Sequence, residues 1–217
     1  MNDRTSDRLT IGDPPGENGR RPFVLGLGGT VREGSSSERV LRFALRCAEQ
    51  EGAHTGILSA AELDIPMYAP GRSERDLRAH RLVRAVAAAD GIIIASPGYH
   101  GGISGLIKNA LDYIEDLREN PRPYLDGRAV GCVVCASGPQ AAATTLVSLR
   151  SVVHALRGWP TPLGVAINSA ETSIDDPDND RHPHADLRVL ARQVVDFAAS
   201  RPGIPLRRPQ RDRAAEG

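Results

Sequence analysis

Apolar residues fall into two patterns along this chain: short unbroken runs, and longer stretches in which they recur every three or four positions. The unbroken runs are Phe23-Val24-Leu25-Gly26-Leu27, Gly56-Ile57-Leu58, Gly91-Ile92-Ile93-Ile94-Ala95, the segment 129–136 and Leu163-Gly164-Val165-Ala166-Ile167. Continuous rather than alternating hydrophobicity predicts strands buried on both faces. Between them, a helix over 37–50 places Val40, Leu41, Ala44, Leu45 and Ala48 on one face, with serines to cap it and Gly52 to stop it. A second over 74–89 turns Leu77, Val83, Val86 and Ala87 inward. A third from Ser104 carries Leu106, Ile107, Ala110, Leu111, Ile114 and Leu117, and ends at Asn120-Pro121-Arg122-Pro123. The segments 140–156 and 184–199 complete the helices, with Leu146, Leu149, Val153 and Leu156 inward in one and Leu187, Leu190, Val194 and Phe197 in the other.

Five strands alternating with five helices predict an α/β fold, a three-layer sandwich with helices on both faces of a parallel sheet. Right-handed crossovers leave few arrangements, and the flavodoxin-like strand order 2-1-3-4-5 fits a five-stranded parallel sheet. Loops after the first, third and fourth strands then meet at one edge, where open α/β sheets place ligands. Residues 1–20 and 201–217 lack periodicity and are rich in charge, Pro or Arg, so they read as disordered tails around a domain of 21–200.

Composition narrows the partners. Twenty-seven basic and 27 acidic residues cancel in a chain of 217, which gives no global field for nucleic acid. No apolar stretch reaches the length of a membrane span, and the polar N-terminus lacks the apolar core of a secretory signal, so a cytoplasmic protein with no membrane partner is expected. Three cysteines are too few for a disulfide framework. Cys132 and Cys135, three apart on one strand, point to opposite faces and read as small core hydrophobes rather than metal ligands. The acidic stretch Asp176-Pro177-Asp178-Asn179-Asp180 begins like a calcium loop, but has Arg181 where glycine is needed and Leu187 where glutamate is needed, so no metal is expected.

The chemistry lies in the loops. Gly28 to Ser37 offers several hydroxyls, one guanidinium and the free N–H groups of a helix start, a combination suited to a phosphate dianion. The dinucleotide fingerprint fails, because position 31 is Val, and no Gly-Lys-Ser/Thr exists for a nucleotide triphosphate. The third-strand loop, Ser96-Pro97-Gly98-Tyr99-His100-Gly101-Gly102-Ile103-Ser104-Gly105, has four glycines around one aromatic and one histidine, suited to close approach of backbone to a flat ligand. No nucleophile–base pair is apparent, so no catalytic side chain is assigned and the hard chemistry falls to a cofactor.

These residues resemble the NADPH-dependent FMN reductase family, flavodoxin-like proteins that include flavin, quinone, azo and chromate reductases. The family's Gly-Ser-x-Arg-x-x-Ser-x-Asn appears as Gly29, Thr30, Arg32 and Ser35, with Ser37 in place of asparagine. Its longer Pro-x-Tyr-Asn/His-Gly motif appears as Pro97, Tyr99, His100, Gly101, Gly105, Lys108, Asn109, Ala110, Leu111 and Asp112. Asp64-Ile65-Pro66-Met67-Tyr68 resembles the loop after the family's second strand. The resemblance implies FMN and NADPH as cofactors, with a hydride passed from NADPH to FMN and on to a flavin, quinone or small azo or nitro acceptor. It implies that Thr30, Arg32, Ser35 and Ser37 hold the phosphate, and that Pro97, Gly98, Tyr99, His100 and Gly101 line the flavin ring, with Ser137 and Gly138 of the third loop. Tyr99 has a second reading as a packed loop anchor. The Ser137-Gly138-Pro139 loop is poorer in glycine than the family's usual version. The resemblance further implies a homodimer or tetramer, in which Lys108 and Asp112 form either an interface salt bridge or an ordinary surface pair. Trp159 reads as a strand-entry packing residue. An electron-carrier flavodoxin, or a non-catalytic flavin-binding module, remains the alternative.

Overall fold

The computed structural model describes residues 20–72, 74–172 and 182–200. The acidic stretch at 176–180 and both expected tails, apart from Arg20, lie outside the described residues.

In chain order the elements are β1 (Phe23–Gly28), α1 (Ser36–Gln50), β2 (His54–Ser59), α2 (Leu77–Ala88), β3 (Gly91–Tyr99), β4 (Gly102–Ile103), α3 (Gly105–Asp112), β5 (Ala129–Ala136), α4 (Pro139–Ala155), β6 (Trp159–Pro160), β7 (Val165–Asn168) and α5 (His184–Ser200). The sheet runs β2-β1-β3-β5, parallel throughout, with β6 and β7 both pairing with the far edge of β5. The expected α/β sandwich and the order of its main strands are therefore present, but the sheet has seven strands rather than five.

Two of the extra strands come from one expected strand. Val130 pairs with Pro160 and Val133 with Val165, so Thr161 to Gly164 bulges out opposite only Gly131 and Cys132. Pro160 and Pro162 supply no N–H to a ladder, which confines this run to an edge and breaks it. The third extra strand is β4, antiparallel to the end of β3.

Alternation along the strands sorts the core into two layers. Leu25, Leu27, Ile92, Ile94, Val130, Cys132 and Val134 face α2, α3 and α4. Val24, Ile93, Ala95, Val133 and Cys135 face α1 and α5. The two cysteines thus lie on opposite faces, both free and buried. The glycines inside the strands belong to the α1/α5 face: a Cβ on Gly26 would lie 2.6 Å from Leu45, and one on Gly131 would lie 2.5 Å from Leu190. Their absence of side chain lets both helices sit close on the sheet.

One inward assignment is wrong. Leu77 is 84% exposed, and the buried residues of α2 are Ala79, Leu82, Ala85 and Val86. Asp76 caps the helix through its side chain, which accepts from the Arg78 N–H at 2.8 Å, so α2 begins at Leu77 rather than at 74. At about 100° per residue Leu77 stands about 140° round the helix from Leu82.

At the amino edge, Arg128 is fully buried, and its guanidinium donates to the carbonyls of Ala87, Ala89, Tyr124 and Asp126 at 2.9–3.4 Å. The cation sits at the carbonyl end of α2, where the helix dipole favours it. Burial first, and then Arg122, push its pKa down to about 9. Trp159 packs on Phe197 with ring centroids 6.0 Å apart, which agrees with a packing role at the start of β6.

Candidate functional site

The carboxyl ends of β1, β3 and β5 lie side by side, and each leads into one of the loops singled out in the sequence. After β1, the chain passes through Gly29 and Gly34, both at positive φ, and enters α1 at Ser35. Ser35 caps the helix by accepting the Glu38 N–H at 3.4 Å, and its Oγ lies 3.4 Å from Ser37 Oγ. Both serines are buried at the helix N-terminus, where the first-turn N–H groups have no intrahelical carbonyl. Thr30 is used differently. Its Oγ1 accepts the Arg32 N–H and donates to the Arg32 carbonyl, both at 3.1 Å, so it closes the loop on itself. Arg32 projects its side chain outward from that brace.

The expected glycine-rich loop after β3 is in fact a hairpin. Pro97, Gly98 and Tyr99 continue β3, and Gly98 and Tyr99 pair with Ile103 and Gly102 of β4. His100 and Gly101 form the two-residue turn with φ of 51° and 81°, the two positive angles that a type I′ turn requires. Tyr99 is 53% exposed, so a fully packed loop anchor is not its role. Ser96 sits buried at the hairpin base, donating to the Pro97 carbonyl at 2.8 Å and accepting the Ser104 N–H at 3.0 Å. Ser104 in turn caps α3 through the Ile107 N–H. Gly98 admits no side chain, because a Cβ would lie 2.9 Å from Ala136 Cβ and 3.0 Å from Thr145 Oγ1. That Thr145 hydroxyl is buried and unpartnered among the described residues.

The third loop is short. Ser137 is exposed and Gly138, at φ 123°, precedes Pro139 at the first position of α4. The Gly138 N–H is held by Asn168 Oδ1 at 2.9 Å, and the same oxygen accepts the Ala170 N–H at 3.2 Å. Asn168 escaped the sequence reading, since one asparagine after a weak strand gives no signal. Glu38 escaped it too. Its carboxylate, with a side chain 6% exposed, accepts the Gly34 N–H at 3.0 Å, the Ser59 hydroxyl at 3.4 Å and two bonds from Arg42 at 2.7 and 3.0 Å.

Part of the long motif serves the scaffold. Asn109 accepts the Tyr68 N–H at 2.8 Å and donates to the carbonyls of Ile65 and Pro66, while Tyr113 Oη donates to Pro66 at 3.0 Å. Arg75 stacks over Tyr68 and grips Asp116 with two 2.8 Å bonds. Burial, and then Asp116, raise the Tyr68 pKa. Lys108 Nζ contacts Asp112 Oδ1 at 2.5 Å on the exposed side of α3, an i, i+4 pair within the chain. On the other face of the sheet, a cleft of about 250 Å³ opens between Ser36, Arg39 and Val40 of α1 and the segment Ser169 to Thr172.

These residues fit FMN. Buried serine hydroxyls and unpaired N–H groups at a helix start suit its phosphate monoester. A glycine that excludes any side chain leaves bare backbone for a flat ring. The buried thiols offer no competing chemistry: burial pushes Cys132 and Cys135 up to about 12. No cluster of three metal-ligating side chains occurs among the described residues.

Comparison with known proteins agrees with this site. Residues 22–172, which contain all three loops, match the family model described as NADPH-dependent FMN reductase. The FMN-dependent NADPH-azoreductase of Staphylococcus haemolyticus is 26% identical over 184 residues, covering 80% of this chain and 94% of the relative. Among solved structures, RosB with a bound 8-demethyl-8-formylriboflavin-5'-phosphate superposes with a TM-score of 0.66 at 17% identity, over 82% of this chain and 79% of that one. A WrbA-like flavodoxin from Agrobacterium tumefaciens superposes with a TM-score of 0.55 at 16% identity, over 82% and 98%. At those identities the two structures establish the flavodoxin-like fold alone. By the match across most of its length, the chain belongs to the NADPH-dependent FMN reductase family and is an NAD(P)H-dependent FMN oxidoreductase with FMN and NADPH as its cofactors.

Proposed function

We propose that the enzyme passes electrons from NADPH to a small diffusible acceptor, an azo compound or a quinone. The observation that carries this reading is the meeting of three glycine- and hydroxyl-bearing loops at one sheet edge, with Tyr99 half exposed beside them. FMN supplies the two-electron relay when bound. Ser35, Ser37 and the first-turn N–H groups of α1 would hold its phosphate, with Arg32 reaching from outside. The β3–β4 hairpin and Gly138 would line the ring, and the exposed Tyr99 would flank the opening through which nicotinamide and acceptor exchange. The likeness to an azoreductase supports an azo acceptor ahead of the others.

The electron balance gives the test. A quinone takes two electrons and two protons from one NADPH and one proton. Cleavage of an azo bond to two amines takes four of each, and so consumes two NADPH. Anaerobic NADPH oxidation by FMN-loaded enzyme is expected to run at that two-to-one ratio with an azo dye. If NADPH leaves the flavin oxidised, the reading fails and an electron carrier or flavin-binding module takes its place. No helix among the described residues is long and apolar enough to cross a membrane. We further propose a cytoplasmic homodimer or tetramer, which sedimentation would test.

A further inference from the structure

Glu38 is oddly placed for a residue beside a phosphate site. An acid in the first turn of a helix ordinarily sits in solvent and favours the positive end of the dipole. Glu38 is instead buried under the loop, with its Cβ at 3.4 Å from where a Cβ on Gly29 would stand. One oxygen takes the Gly34 N–H, at a residue with φ of 69°. The other takes the Ser59 hydroxyl from the end of β2. The loop is thus fastened from beneath, and its Ser35 to Ser37 donors are set before any ligand arrives. A carboxylate there would repel a phosphate, and Arg42 removes that penalty by donating Nε and Nη2 to the same oxygen.

We infer that the Glu38–Arg42 pair is a positioning device that gives this enzyme its preference for phosphorylated flavin. Glu38 holds the loop in shape through Gly34, and Arg42 cancels the charge Glu38 brings. The inference rests on the FMN reading of the site.

The test is titration of wild type and variants with FMN and with riboflavin, followed by quenching of flavin fluorescence. Glu38→Ala frees Gly34 and is expected to weaken FMN by about tenfold or more while changing riboflavin by less than about threefold. Glu38→Gln keeps an acceptor oxygen for the Gly34 N–H and is expected to restore FMN binding to within about threefold of wild type. Arg42→Gln leaves the carboxylate uncancelled, so FMN weakens, riboflavin does not, and added salt narrows the gap. Arg42 is half exposed, so this variant carries the test if Glu38→Ala does not fold. The inference is overturned if the variants weaken both flavins alike, leave the FMN-to-riboflavin ratio unchanged, or if Glu38→Gln behaves as Glu38→Ala. A wild type that does not prefer FMN over riboflavin would overturn the FMN reading itself, and the inference with it.

Discussion

Replacing Asn109 separates its structural work from its place in a flavin-family motif. Its side chain makes three bonds to the backbone of the loop after β2: one accepted from Tyr68 N–H, and two donated to the Ile65 and Pro66 carbonyls. Tyr113 Oη also donates to Pro66, so Asn109→Ala orphans two groups, the Tyr68 N–H and the Ile65 carbonyl. At about 1–3 kcal/mol for each buried group left unpaired, and with some relief as the loop loosens, the expected loss is about 2–4 kcal/mol. Asn109→Asp sharpens the test. One oxygen still accepts from Tyr68, but the other now faces two carbonyls without a proton to offer. That raises the carboxyl pKa in the folded state above its unfolded value of about 3.9. An acid raised on folding binds more protons folded than unfolded, so stability falls as pH rises from about 4 through the folded pKa. Urea unfolding followed by the fluorescence of the single tryptophan, Trp159, reads both effects. Asn109→Asp is expected to be less stable than Asn109→Ala at pH 8 and to recover on acidification. The reasoning is refuted if Asn109→Ala costs under about 0.5 kcal/mol, the range of a neutral surface change, or if the aspartate variant shows no pH dependence relative to it.

Three further outcomes are expected. Gly98→Ala forces a methyl against Ala136 and Thr145 and should cost about 1–3 kcal/mol with weakened FMN binding, and Ala136→Gly added to it should recover part of both in the same titrations. The thiols of Cys132 and Cys135, held near 12 by burial, should resist a disulfide reagent at pH 8 in the native state and react at once in urea. Because those thiols ionise near 9.0 when unfolded, stability should fall as pH rises between 9.0 and about 12, measured as a declining urea midpoint. Arg128→Met removes the donor shared by four carbonyls and should destabilise by about 3 kcal/mol or more in urea without altering the affinity for FMN, since the residue lies at the opposite edge of the sheet.

The sequence by itself determined the layers. Unbroken apolar runs can only be strands covered on both sides, and their alternation with periodic segments leaves one economical way to wind the chain. The two small-residue loops that bracket the third strand marked the ligand edge, because hydroxyls, glycines and a helix start are local features. What the tertiary structure decided depends on residues far apart in the chain. Gly98 reads as part of a flexible loop until Ala136 and Thr145, brought in by β5 and α4, show that it is an extended strand position with no room for a side chain. Trp159 to Asn168 reads as packing residues and one strand until pairing along β5 reveals a bulge between two prolines and asparagine's grip on Gly138. Leu77 kept the right periodicity for the wrong phase, because the cap at Asp76, and not hydrophobicity, sets where α2 begins. Glu38 is the clearest case. On paper it is one more acid in a helix's first turn, and only Ser59 from β2 and Gly34 from the loop, closing over it from both sides, make it part of the site.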